Sequence, residues 1–178
     1  MTQLTDYIAA VPDFPKPGIL FRDITPLLAH PAAFNACLEQ LEERAAHHAP
    51  THIIGIESRG FIFGAPLARR LGLPFIPVRK PGKLPRAVHS VTYELEYGED
   101  TLCLHRDDLP SGARVLVVDD LLATGGTAAA CKALIQNAEA EIASFLFVIE
   151  LSGLPGRARL NPETLEGHVT PIEALITY

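Results

Sequence analysis

The 178-residue chain has no tryptophan, a single methionine and three cysteines. Cys37, Cys103 and Cys131 are odd in number, far apart and free of CxxC spacing. This argues against a disulfide framework or a zinc site, and for reduced thiols in a cytoplasmic protein. No apolar run approaches the ~18 residues of a membrane span. The opening MTQLTDYIAAV has an acidic residue and no basic cluster, unlike a secretory signal. Positive charge is also scarce: 15 Lys and Arg face 21 Asp and Glu, a formal net charge of −6. That balance disfavours a nucleic-acid or anionic-membrane surface. A site for anions must therefore gather its cations locally. With 48% hydrophobic residues disorder is excluded, and the length suits one α/β domain with a full core. There is no internal repeat, low-complexity tract or dividing linker.

A more local absence lies in VLVVDDLLATGGTA, residues 115–128. No Lys follows its glycines and the GxxxxGK[ST] spacing is missing, so it is not a nucleoside-triphosphate P-loop. The four leading aliphatic residues predict a buried strand over 115–118. Asp119 and Asp120 follow where that strand is expected to end. A small-residue turn of Ala123, Thr124, Gly125, Gly126 and Thr127 then leads into an alanine-rich helix. Ligands of open α/β sheets bind beyond the carboxyl ends of strands. A glycine turn there offers backbone N–H groups and a helix N-terminus to an anion. The carboxylate pair suits hydroxyls or a magnesium ion. A phosphate a few ångströms from a vicinal diol describes ribose 5-phosphate, whereas the plain alternative is a strand-turn-helix with glycine at a tight turn.

Residues 2–10 are expected to form a short amphipathic helix that Pro12 ends. Pro12, Pro15 and Pro17 then forbid regular structure in PDFPKPGILFRDITPLL. Carrying Phe14, Leu20 and Phe21, this segment reads as a strap over a core edge or as a wall on which a flat apolar ligand stacks. A helix is predicted over 31–48, with Phe34, Leu38, Leu41 and Ala45 on one face. THIIGIE (51–57) is a second buried strand, running through ESRG at 57–60 into an apolar helix that ends at Leu71. Arg59 presents a planar fork suited to phosphate oxygens, or it pairs with Glu57. A third strand spans 73–78. RKPGKLPR then sets four fixed cations, Arg79, Lys80, Lys83 and Arg86, within eight positions. Solvated loop and mobile lid over a polyanion both fit. VTYELEY and TLCLH alternate at period two, predicting a β-hairpin flap that stands off the main sheet with Glu96, Tyr97 and Gly98 at its tip. A strand over 142–149 completes a right-handed β-α-β crossover with 115–118. The VTPIEALITY tail closes on a short edge segment. Residues 154–170 suggest no role.

In their order and spacing, FPKPGILFRDITPLL, GIESRGF, VRKPGKLP, YELEYG and VVDDLLATGGTA resemble the adenine phosphoribosyltransferases of the type I phosphoribosyltransferase family. The likeness covers nearly the whole chain. It implies a single domain over 1–178: a mostly parallel sheet flanked by helices, with an N-terminal hood over about 1–30 and a lid and flap over about 79–106. It implies transfer of ribose 5-phosphate from phosphoribosyl pyrophosphate (PRPP) to adenine, giving AMP and pyrophosphate. Mg²⁺ is expected mainly through PRPP, with no firm protein ligand, in a cytoplasmic homodimer. The resemblance places the 5-phosphate on Ala123, Thr124, Gly125, Gly126 and Thr127, and the ribose hydroxyls at Asp119 and Asp120. It places pyrophosphate at Ser58, Arg59, Arg79, Lys80, Lys83 and Tyr97, with a cis peptide beside Ser58. Adenine is expected at Leu20, Phe21, Arg22 and Leu151. Glu96 is the candidate base for a proton at adenine N7; its plain alternative is an exposed turn carboxylate. Two other readings are the same transfer to another purine, and a nucleotide-sensing regulator that keeps the fold without the reaction.

Overall fold

Prolines 12, 15 and 17 do not leave the N-terminal segment irregular; they mark its turn. One turn of 3₁₀-helix, Leu4–Tyr7, replaces the helix expected over 2–10, and Ala9–Pro12 (β1) pairs antiparallel with Leu20–Asp23 (β2). Pro12 is the last residue of β1, while Pro15 and Pro17 fall in the connection, where a missing N–H breaks no ladder bond. The Gly18 amide donates to Asp13 Oδ1 at 2.7 Å across this turn, and Phe14 meets Phe21 edge to face at 5.1 Å between ring centroids. Helices Thr25–Ala29 (α1) and Pro31–Ala46 (α2) follow, the second close to the expected 31–48. The computed structural model describes residues 3–94, 98–162 and 169–178, and it separates into two units, Met1–Gln40 and Leu41–Tyr178.

The described strands of the second unit are His52–Ile56 (β3), Phe75–Val78 (β4), Val88–Glu94 (β5), Glu99–His105 (β6), Arg114–Leu122 (β7), Glu141–Glu150 (β8) and Ile172–Thr177 (β9). Its helices are Arg59–Leu71 (α3), Gly126–Asn137 (α4) and Gly156–Leu160 (α5). Five strands form an all-parallel sheet in the order β4-β3-β7-β8-β9, as the alternation of buried strands with helices requires. The chain passes from β3 out to β4, then returns to β7 on the other side of β3 and continues to β8 and β9. Strand order therefore reverses between β3 and β7. That is the switch point at whose carboxyl edge α/β folds bind ligands.

Unbroken apolar runs are needed because the sheet is covered on both faces. On one face Ile54, Ile56, Val115, Val117, Phe145 and Phe147 share a core with Ala130, Cys131 and Leu134 of α4. On the other, α3 packs against β3 and β7. Two expectations need correction. The β5-β6 hairpin does not simply stand off the sheet: Tyr93, Leu102 and Leu104 are buried in the main core, and the hairpin packs on α4. Its period-two pattern presents large apolar residues on one face, and these need cover. Strand β7 also runs four residues beyond Val118, pairing Asp119 with Phe147 and Leu121 with Ile149 of β8. Asp119 and Asp120 thus belong to the strand. Leu121 and Leu122 prolong its pairing past the carboxylates.

Candidate functional site

The two loops at the switch point are held together by a glycine. A Cβ on Gly60, in the first turn of α3, would lie 2.6 Å from the Val118 carbonyl and 3.1 Å from Asp119 Oδ1. Only without it can α3 begin against β7 so closely that Arg59 Nε reaches Asp120 Oδ2 at 3.0 Å. The Asp120 amide in turn donates to Asp119 Oδ1 at 3.0 Å. Asp120 is 3% exposed, while Asp119 keeps some surface toward the pocket though protein surrounds it. Burial, then the neighbouring Asp120 charge, holds the Asp119 carboxyl well above the ordinary carboxylate range. Burial raises Asp120 too, and Arg59 offsets part of that rise. The Glu57–Ser58 peptide is cis, as expected from the resemblance.

Beyond Leu122 the chain turns through Gly125, whose φ of +79° lies in the left-handed region where a side chain is strained. Gly125 caps α4 with no side-chain acceptor, so the first N–H groups of the helix stay available to a ligand. Arg59, Asp119, Asp120 and the turn from Ala123 to Thr127 line a pocket of about 200 Å³. A larger cleft of about 630 Å³ lies by the amino ends of β7 and β8, near Arg114 and Glu141, and contains neither the carboxylate pair nor the glycine turn. Chemistry, not size, selects the smaller one.

The basic stretch after β4 carries its cations on acidic partners. Glu57 accepts Arg79 Nε at 3.2 Å, Arg79 Nη2 at 3.3 Å and the Lys80 amide at 2.9 Å. The Lys80 amide, more than Arg79, holds the Glu57 carboxyl below the usual range. Lys80 Nζ donates to Asp100 Oδ2. Burial works against both charges of that pair, yet their bond outweighs it, leaving Lys80 above and Asp100 below their ordinary values. The Tyr93 hydroxyl joins them, 3.2 Å from Asp100 Oδ2 and 3.4 Å from Thr127 Oγ1. One network thus ties the basic loop, the hairpin and the start of α4. Lys83 is exposed, and Arg86 Nη2 donates to Asp108 Oδ1 at 2.5 Å.

The structure therefore brings together Arg59, Asp119, Asp120 and the residues Ala123, Thr124, Gly125, Gly126 and Thr127. Ser58 is exposed beside them at the start of α3. Arg79 and Lys80 stand on the loop anchored by Glu57. Leu20, Phe21 and Arg22 lie on β2 of the first unit, with Leu20 47% exposed. Leu151 follows β8 in the second, its amide donating to the Leu122 carbonyl at 3.0 Å. Glu96 and Tyr97 lie outside the described residues. Sequence reasoning overlooked Tyr93 and Asp100, which read as ordinary hairpin alternation and a turn acid, and α5. Cys37, Cys103 and Cys131 are free and buried, and burial pushes the thiols of Cys37, to about 12, and of Cys131 upward, away from a ready thiolate.

Among known families, the phosphoribosyl transferase domain matches residues 23–159. The adenine phosphoribosyltransferase of Thermosynechococcus vestitus is 55% identical over 175 residues, covering 98% of this chain and 99% of that protein. The crystal structure of adenine phosphoribosyltransferase from Thermoanaerobacter pseudethanolicus superposes with a TM-score of 0.91 at 46% identity, covering 98% of each chain. That of the Saccharomyces cerevisiae enzyme, complexed with D-2,5-dideoxy-2,5-imino-altritol 1,6-bisphosphate and adenine, has a TM-score of 0.87 at 40% identity, covering 97% of this chain and 96% of the other.

Proposed function

We propose a reaction and a mechanism from this premise: the chain belongs to the phosphoribosyltransferase family and, within it, to the adenine phosphoribosyltransferases. It transfers the 5-phosphoribosyl group of PRPP to adenine, giving AMP and pyrophosphate. The observation that carries the mechanism is the pairing, in one pocket at the switch point, of two adjacent carboxylates, the half-buried Asp119 and the buried Asp120, with a glycine helix start free of side-chain caps. A phosphate and a diol need those two features side by side.

In this reading the N–H groups of Ala123, Thr124, Gly125, Gly126 and Thr127 hold the 5-phosphate, and Asp119 and Asp120 accept hydrogen bonds from the ribose hydroxyls. Departure of pyrophosphate from C1 leaves an oxocarbenium-like ring. A carboxylate pair whose charges are crowded favours positive charge beside it, and Arg59 offsets part of the rise that burial imposes on Asp120. Ser58, Arg59, Arg79, Lys80, Lys83 and Tyr97 are assigned to the leaving pyrophosphate. Among the described residues no three His, Cys, Asp or Glu side chains gather to cage a metal. In this reading Mg²⁺ would be held chiefly by oxygens of PRPP, with Asp119 and Asp120 the nearby carboxylates, since Mg²⁺ usually binds through few carboxylates plus substrate phosphates. When bound, the ion supplies charge neutralisation for the pyrophosphate.

Adenine is assigned to Leu20, Phe21 and Arg22, with Leu151 as a further contact. Its N9 forms the new bond to C1, and Glu96 takes up the proton handled at N7. Glu96→Gln should lower turnover at least a hundredfold, in the range of lost general-base catalysis, while PRPP binding persists; near-full activity would remove Glu96 from that role. A homodimer belongs to the same reading, from the family likeness, and sedimentation at assay concentration tests it. Free, buried cysteines support a cytoplasmic setting. The decisive experiment incubates the protein with PRPP and Mg²⁺ and, separately, adenine, hypoxanthine, guanine or orotate. AMP from adenine alone is expected. IMP or GMP instead would relocate the base pocket, and no product with tight PRPP binding would turn the protein into a sensor.

A further inference from the structure

We propose that Arg159 supplies the positive charge that the glycine turn lacks, binding the 5-phosphate from the side of α5. The inference rests on the reading of that turn as the phosphate site. A Cβ built on Gly126, the first residue of α4, would lie 3.4 Å from Arg159 Nη1 and 3.6 Å from its Cζ. The guanidinium therefore sits against the helix start where phosphate oxygens meet N–H groups. Arg159 is exposed and takes part in none of the ion pairs among the described residues. By contrast, Arg59, Arg79 and Lys80 are each matched by a carboxylate. This cation has its fork unspent, and guanidinium suits phosphate bidentately.

The placement is built rather than incidental. Segment α5 meets the turn backbone to backbone: a Cβ on Gly125 would lie 2.9 Å from the Gly156 carbonyl oxygen, and one on Gly156 2.5 Å from that of Ala123. Two clamps hold α5 in register. Arg157 donates to both oxygens of the buried Glu150, at 2.5 and 2.7 Å, and to the Ile172 carbonyl at 2.8 Å. From the other side Lys132 Nζ, on α4, donates to the Leu160 carbonyl at 2.7 Å. Two residues apart on one helical turn, Arg157 and Arg159 face different ways, so the first pins α5 to β8 while the second faces α4. A nucleoside-triphosphate P-loop carries its lysine within the loop. Here a segment more than thirty residues later brings the charge.

Arg159→Gln and Arg159→Lys test this by calorimetric titration with AMP, by KM for adenine at saturating PRPP, and by thermal melting. Loss of one charge-assisted phosphate contact should weaken AMP binding by about tenfold to a hundredfold in Arg159→Gln. KM for adenine and the melting temperature should stay at wild-type values, and Arg159→Lys should recover part of the loss. AMP binding unchanged in Arg159→Gln would overturn the role of Arg159 while leaving the phosphate turn in place. Equal losses for AMP and adenine, unrelieved by lysine, would make Arg159 merely structural. A wild-type protein that does not bind AMP would overturn the turn's assignment and this inference with it.

Discussion

Asp119 and Asp120 lie next to each other in the buried part of β7 with one guanidinium, Arg59, to balance them. A native carboxyl raised above its ordinary value binds more protons than the unfolded chain does. Stability therefore falls as pH rises from the ordinary carboxylate range through the raised value. Asp119→Asn should raise the melting temperature at pH 7.5, by about 2–4 °C for each kcal/mol recovered, with a smaller gain toward pH 4. It should also lower kcat/KM by about tenfold or more, the loss expected for a hydrogen bond to a charged group. An unchanged or lower melting temperature would mean that the pair is not a stability cost kept for function. The glycines next in the chain separate two kinds of constraint. Gly125→Ala meets both a left-handed φ and the Gly156 carbonyl at 2.9 Å, whereas Gly126→Ala meets the movable Arg159 head at 3.4 Å and the Tyr93 ring at an ordinary 3.7 Å. Gly125→Ala should lose about 2 kcal/mol or more in denaturant unfolding, from left-handed strain and the clash. Gly126→Ala should stay within about 1 kcal/mol of wild type, and similar losses for the two would argue against the close approach of α5.

Elements show how far the sequence was readable. Parallel strands of the sheet announced themselves because burial on both faces leaves continuous apolar runs, and α3 and α4 because each follows such a run. The turn of Ala123, Thr124, Gly125, Gly126 and Thr127 was readable because glycine there is demanded by backbone geometry, a local property. What depended on distant partners was not. Proline excludes a helix over 12–17 but cannot tell an irregular strap from a hairpin turn, since both leave its nitrogen unpaired. Tyr93 and Asp100 gained meaning only when β5 and β6 folded onto α4 and met Lys80. Arg159 had no local signature at all. The Lys80–Asp100 tie carries its own prediction. Its Asp100 pKa lies below the ordinary value, so its contribution is present above that value and is lost as pH falls through it; Lys80, raised, keeps its share up to alkaline pH. Both side chains are about one-third exposed, so Asp100→Asn should cost only about 1–3 °C at pH 7. The gap to wild type should close below about pH 3.8. A gap indifferent to pH would show that packing around Tyr93, not charge, is what Asp100 serves.

For the molecule as a whole, a net charge of −6 and a highly anionic substrate are opposed, and placement rather than composition reconciles them. Basic residues concentrate on the segments that face the carboxyl edge of the sheet, at Arg59, on the stretch after β4, and on α5. Several of these cations are already matched by the carboxylates of Glu57, Asp100 and Asp120, so PRPP must compete with internal partners as well as with solvent ions. Bound PRPP should in turn tie α3, at Arg59, to α4, α5 and the hairpin, which already pack on one another. Ligand that binds only the native state stabilises it by about 2.7 kcal/mol at a hundred times its Kd. For a chain of this length that is a rise of about 5–11 °C in melting temperature. The rise should shrink steadily with added salt, because exposed Lys and Arg supply part of the attraction, yet survive at 0.5 M through the buried N–H contacts of the turn. Melting curves with PRPP across a salt series decide the point. A shift that vanishes at high salt would assign the binding to the exposed cations alone, and one insensitive to salt would deny the basic loop and α5 any part in it.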